Sequence, residues 1–148
     1  MLLDKLRTRA NGESGFTLVE LLVVMLILGI LAAIAIPSFL SQRDKANDAE
    51  AKAAVRTAQT AAETYGTDFN NVYTLMTDVK LEAIEPTLTA AGTAFTVTGV
   101  AAGTYTVTVT SKTGTTFSIA RVSGGTTTRS CGPDLNKGKG GCLADGSW

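Results

Sequence analysis

From Leu21 to Ile36 the sequence runs sixteen residues without a polar side chain. Extended back to Phe16 the stretch is 21 residues long, interrupted only by Thr17 and Glu20. As a helix it would cover about 31 Å, close to the hydrocarbon thickness of a bilayer. Lys5, Arg7 and Arg9 precede it. That asymmetry predicts that its N-terminal end stays in the cytoplasm and the remainder of the chain faces outward. Without this run the sequence is polar and rich in Ala, Thr and Gly, so a single segment sets the class of the whole chain.

Three kinds of segment share these features. A secretory signal peptide would use residues 1–15 as its charged region and Ala33-Ile34-Ala35 as its small-residue cleavage site. A single-pass anchor would keep the run intact. The third kind is a short charged leader cut before the apolar helix. Glu20 separates them, because a carboxylate inside a membrane helix is costly and neither a signal peptide nor a simple anchor gains from it. Against this stands a simple alternative: Glu20 lies only four residues after Phe16 and could reach the headgroups.

The string around Glu20 is more specific than that alternative requires. Gly15 to Leu40, GFTLVELLVVMLILGILAAIAIPSFL, resembles the N-terminal signature of type IV pilins and of the pseudopilins of type II secretion systems. The resemblance is tight over about 25 residues, looser beyond, and does not separate pilins from pseudopilins. It implies that a prepilin peptidase cuts between Gly15 and Phe16 and that Phe16 is then N-methylated. It implies that Glu20 acts in assembly together with Phe16, and that Pro37 marks a kink or a stretch that loses helicity in the filament. An amine freed on Phe16 and a carboxylate on Glu20 of a neighbouring copy would offset each other's desolvation and fix axial register.

Ser38 to Tyr65 contains no Gly or Pro and holds eight Ala, a composition that favours helix. Ala51, Ala54, Val55, Ala58, Ala61, Ala62 and Tyr65 fall on one stripe. Arg43, Asp44, Asp48, Lys52, Arg56 and Glu63 are expected on the remaining surface, with Asp48 and Lys52 as an i,i+4 pair. The helix is predicted to run from Phe16 to Tyr65, with Gly66 as a left-handed cap. Its outer half needs a partner for the stripe. A coiled coil is the alternative, but the stripe lacks sustained Leu or Ile at both heptad positions.

That partner is expected after Gly92, where the period changes to two. Phe95 and Val97, then Tyr105, Val107 and Val109, then Phe117 and Ile119 alternate with hydroxyl residues. This is the pattern of antiparallel strands buried on one face. Three strands in a meander are predicted, followed by a Gly-rich, loop-like tail from Thr126. Residues 66–92 read as a connection, with a short helix over Thr77–Ile84 ahead of Pro86. Cys131 and Cys142 are expected to pair in an oxidising compartment, the alternative being two unrelated thiols. The resemblance implies the same pair, as a disulfide-bounded loop on the filament surface.

The fold expected is α+β and pilin-like: a long N-terminal helix on a small antiparallel meander with a C-terminal disulfide loop. The divisions are a leader (1–15), a membrane or filament-core helix half (16–36), an amphipathic half (37–65), the connection (66–92), the meander (93–123) and the tail (124–148).

Thirteen basic and thirteen acidic residues leave no field for nucleic acid, so none is expected as a partner. The absence of His removes the commonest general base and metal ligand. Gly138, Gly140 and Gly141 beside Lys137 and Lys139 lack the context of a phosphate loop. Asp134, Asn136 and Asp145 could ligand calcium, as in some pseudopilin-like folds, but three oxygens across a loop are weak evidence for a site that needs about six to eight. No cofactor, no metal and no enzyme activity are expected. The reading is a polymerising pilus subunit, inserted in the cytoplasmic membrane and later displayed on the cell surface. The resemblance implies self-association, prepilin peptidase, an assembly platform and a motor ATPase as partners. The alternatives are a pseudopilin of a secretion or DNA-uptake apparatus and a secreted binding domain released after Ala35.

Overall fold

A computed structural model describes residues 15–90, 94–133 and 140–148. The leader up to residue 14 and the tail positions Asp134, Asn136, Lys137, Gly138 and Lys139 lie outside the described residues. Helix α1 runs Leu18–Asp68 and continues through Pro37. The chain divides into two compact units, Met1–Leu40 and Ser41–Trp148.

In the first unit α1 begins at Leu18, two residues later than expected, because Thr17 serves as its cap. The Thr17 hydroxyl accepts from the Glu20 amide at 3.2 Å, and the Glu20 carboxylate accepts from the Thr17 amide at 2.9 Å. These reciprocal bonds form a capping box. The apolar side chains that follow are exposed, from Phe16 at 84% onward.

In the second unit the four strands β1 (Phe95–Ala101), β2 (Thr104–Thr110), β3 (Thr116–Arg121) and β4 (Thr127–Gly132) form an antiparallel sheet in sequence order. Cross-strand neighbours share a face. Phe95, Val109, Phe117 and Cys131 therefore make one row across the sheet, and Val97, Val107, Ile119 and Arg129 the next. Except for exposed Arg129, these rows join the stripe Ala51, Val55, Ala58, Ala61, Ala62 and Tyr65 in a single core, with Ala54 and Val97 partly buried at its margin. The opposite face carries hydroxyls, with Thr108 and Ser118 hydrogen-bonded at 2.8 Å. The α+β, pilin-like architecture is as expected.

Helix α2, Asp78–Ile84, follows the N-cap Thr77 and matches the predicted short helix; α3, Thr87–Ala90, comes after Pro86.

Three expectations are corrected. The tail is not loop-like throughout: Thr127–Gly132 is β4, paired with β3 along its full length. Asp48 is not on the surface; it is 3% exposed and accepts from the hydroxyls of Ser111 and Thr113 at 2.7 and 2.6 Å. Lys52 donates to the Gly141 carbonyl at 2.8 Å. Finally, Gly66 is not the cap, since α1 continues to Asp68. The left-handed positions fall on Asn70 and Asn71, at φ 52° and 62°, and the Asn71 amide donates to the Gly66 carbonyl at 2.8 Å.

Gly66 is small for a different reason. A Cβ there would fall on the hydroxyl of Tyr73, whose ring is fully buried. That ring packs on Tyr105 with centroids 4.8 Å apart, and its hydroxyl accepts from Arg121 at 2.8 Å. Ala at an unhindered helix position would stabilise by about 1 kcal/mol relative to Gly. Here Gly66→Ala should instead destabilise by about 1–3 kcal/mol, because the ring cannot move without breaking its packing. Thermal unfolding checks this, and a raised midpoint would contradict it.

Candidate functional site

Gly15, Phe16, Thr17 and Glu20 line one cleft at the start of the first unit. Each has an identifiable local origin. Thr17 and Glu20 are brought together by the capping-box spacing, and the Thr17 hydroxyl also donates to the Glu20 carboxylate at 2.7 Å. Phe16 precedes the cap and is 84% exposed. A Cβ at Gly15 would meet no atom within 4 Å, so the fold of this chain does not require Gly at that position. The bond between Gly15 and Phe16 is therefore open, next to an exposed carboxylate, at the head of an exposed apolar helix. The capping box has a signal in the sequence, the Thr-x-x-Glu spacing of Thr17 and Glu20.

Of the remaining predicted positions, Pro37 lies inside α1 in the first unit. Cys131 and Cys142 are disulfide-bonded in the second, both buried. Helix α1 is long and apolar enough to cross a membrane. Its apolar part buries nothing within the chain. Such a surface requires lipid or other protein copies to cover it.

A family model described as the prokaryotic N-terminal methylation motif matches residues 10–36, which include the whole cleft. The chain is 45% identical over 64 residues to the type IV wide pilus major component PilA4 of Thermus thermophilus, covering 43% of this chain and 48% of that protein. It is 40% identical over 76 residues to the type II secretion system core protein G of Vibrio cholerae, covering 51% of each. With the competence protein ComGC of Halalkalibacterium halodurans it shares 34% identity over 72 residues, 49% of this chain and 71% of that protein. The chain belongs to the type IV pilin and pseudopilin family. It spans about half the length of the first two of these relatives. No solved structure matches it.

In this pilin-family chain two polar clusters in the second unit were not foreseen. One is Asp48 with Ser111 and Thr113, which ties α1 to the β2–β3 turn. The other is Glu63. It pairs with Arg121 and accepts from the Tyr105 hydroxyl at 2.6 Å. Burial raises the pKa of Tyr105 strongly, and its hydrogen bond to Glu63 adds to this, so the phenol remains a neutral donor. Tyr73 is raised in the same sense, first by burial and then by Glu63. Lys52 is lowered by desolvation, which the Asp48 carboxylate opposes. Glu63, Arg121, Tyr105 and Tyr73 are partners of one another, and the two clusters join α1 to the sheet.

Proposed function

We propose that the chain is the precursor of a structural subunit of a type IV pilus. It would insert in the cytoplasmic membrane with its N-terminus inside, lose residues 1–15 to a prepilin peptidase and be methylated on Phe16. An assembly platform and a motor ATPase would then draw it into a filament whose core is the helix half 16–36. Apolar side chains would move from lipid to neighbouring copies, a trade with little driving force of its own, so the work must come from the motor. Pro37 would be the place where the helix loosens as it packs. Glu20 and the new Phe16 amine would set the register between copies.

The observation that carries the reading is the cleft itself. An open Gly-Phe bond beside a carboxylate heads an exposed apolar helix, inside the matched methylation motif. Gly15 is unconstrained by its own chain, which is what recognition by a peptidase would leave. Mass spectrometry of the mature chain tests this. A start at Phe16 carrying one methyl group is expected; a start at Ile36 would mean a released domain instead.

A second reading, a pseudopilin of a secretion or DNA-uptake apparatus, is favoured by the likeness to a secretion core protein and a competence protein. The C-terminal disulfide and the Thr-rich sheet lean toward the pilus. Surface fibres that disappear on deletion of the gene would decide for it.

A further inference from the structure

Among the described residues of the second unit, two exposed arginines lie at one edge of the sheet and several acids at the other. At the β4 edge, the guanidinium groups of Arg56 and Arg129 lie over the Trp148 ring, 5.3 and 5.4 Å from its centroid. The indole N–H donates to the carbonyls of Ser130 and Ser118 at 3.0 and 3.4 Å, which fixes the ring against β3 and β4. Both arginines are exposed, and among the described residues neither has a carboxylate within ion-pair distance. Exposed Leu143 adds apolar surface from the same C-terminal segment. An aromatic capped by arginines is a common composition for the centre of an interface.

At the β1 edge the character reverses. Helix α2 packs on β1, and Val72 bridges to Ala102 just beyond it. Asp68, Asp78, Glu82 and Glu85 belong to this region. Its one cation, Lys80, is occupied by the Leu75 carbonyl at 2.6 Å and lies over the Tyr65 ring. Leu75 and Val79 are exposed among these acids, at 71% and 68%.

We propose that the Arg56–Trp148–Arg129 patch docks the acidic α2 edge of a second copy of this chain. The inference rests on the reading of the chain as a polymerising subunit and names the surfaces that its outer unit uses. Charge complementarity selects the occupant: like patches repel, so patch-to-patch pairing is disfavoured while patch-to-edge pairing is favoured. The two surfaces are separated by the width of a four-stranded sheet, about 14 Å at the usual strand spacing. One molecule therefore cannot satisfy itself. A contact between unlike surfaces on opposite edges is heterologous, and where its rotation does not close it propagates as a helix.

Zero-length carbodiimide cross-linking of intact cells expressing full-length Arg129→Lys tests it. A ladder of dimers and higher species is expected, with mapped amide bonds joining position 129 to Asp68, Asp78, Glu82 or Glu85. Adding Asp78→Asn and Glu82→Gln should reduce the ladder at least fivefold, with the amount of membrane precursor unchanged. No ladder, or bonds mapped only to other carboxylates, would overturn the proposal. The same cells are imaged for fibres. A correctly mapped ladder without surface fibres counts against the pilus reading and leaves the interface standing. Fibres without the ladder do the reverse.

Discussion

Glu20→Gln should leave the precursor in the membrane and cut between Gly15 and Phe16, yet lower filament yield by about tenfold or more, and Glu20→Ala should do the same. The comparison of the two variants matters more than either alone, because Glu20 has two separable jobs. Within its own chain it caps α1, accepting from the amide and hydroxyl of Thr17. Gln at the same position completes a capping box as Glu does. The helix start therefore survives Glu20→Gln, whereas the negative charge does not. If assembly depends on a carboxylate meeting the Phe16 amine of a neighbour, neutral Gln cannot offset that amine's desolvation. A cap-only role predicts the opposite pattern, with Gln tolerated and Ala harmful, and Thr17→Val as harmful as Ala. Counting sheared filaments against membrane-bound subunit distinguishes them. Normal yield from Glu20→Gln would remove the charge from the assembly mechanism.

The features that were legible in the sequence are those with a one-dimensional signature. An apolar run, an Ala-rich stripe and period-two alternation each report a face, and each face is where the structure places it. The misses share a different cause. Strand β4 has no alternation to read, because Thr127, Thr128, Arg129 and Ser130 are all exposed. As an edge strand it is defined by its ladder to β3 and not by burial. Gly66 was misassigned because a helical Gly has two physical uses, a left-handed cap or a close approach. Only the position of Tyr73 decides between them. Asp48 and Glu63 read as surface charges because the groups that satisfy them lie about sixty residues away, at Ser111, Thr113 and Arg121. A buried polar network is a property of the packed chain. The helix cap is the converse case: Thr17 and Glu20 are three residues apart, so its reciprocal hydrogen bonds are readable from spacing alone.

Glu63→Ala should be among the most destabilising single changes in the outer unit, although Glu63 was expected on the surface. Its carboxylate lies at the meeting point of α1, β2 and β3. It pairs with Arg121, and the Tyr105 hydroxyl donates to it. Arg121 in turn donates to Tyr73, so four side chains share one set of bonds. The Arg121 side chain is only 15% exposed, and among the described residues its Nε has no hydrogen-bond partner. Removing Glu63 leaves a largely buried cation with one neutral acceptor. Stranding a fully buried charge in this way costs about 3–5 kcal/mol. Glu63 itself is 40% exposed, so solvent screening reduces the expected loss to about 2–3 kcal/mol. For a unit of this size that lowers the unfolding midpoint by roughly 10 °C or more. The single tryptophan, Trp148, packs edge-on against Phe117 and gives a fluorescence signal for the transition. Glu63→Gln keeps an acceptor for Tyr105 and should lose less. The decisive variant is the double Glu63→Ala with Arg121→Leu. With both charges gone no charge is stranded, so it should unfold at least as late as Glu63→Ala alone, a coupling of about 1 kcal/mol or more. Strict additivity of the two losses would mean that Glu63 contributes only local packing and that the pair does not join the helix to the sheet.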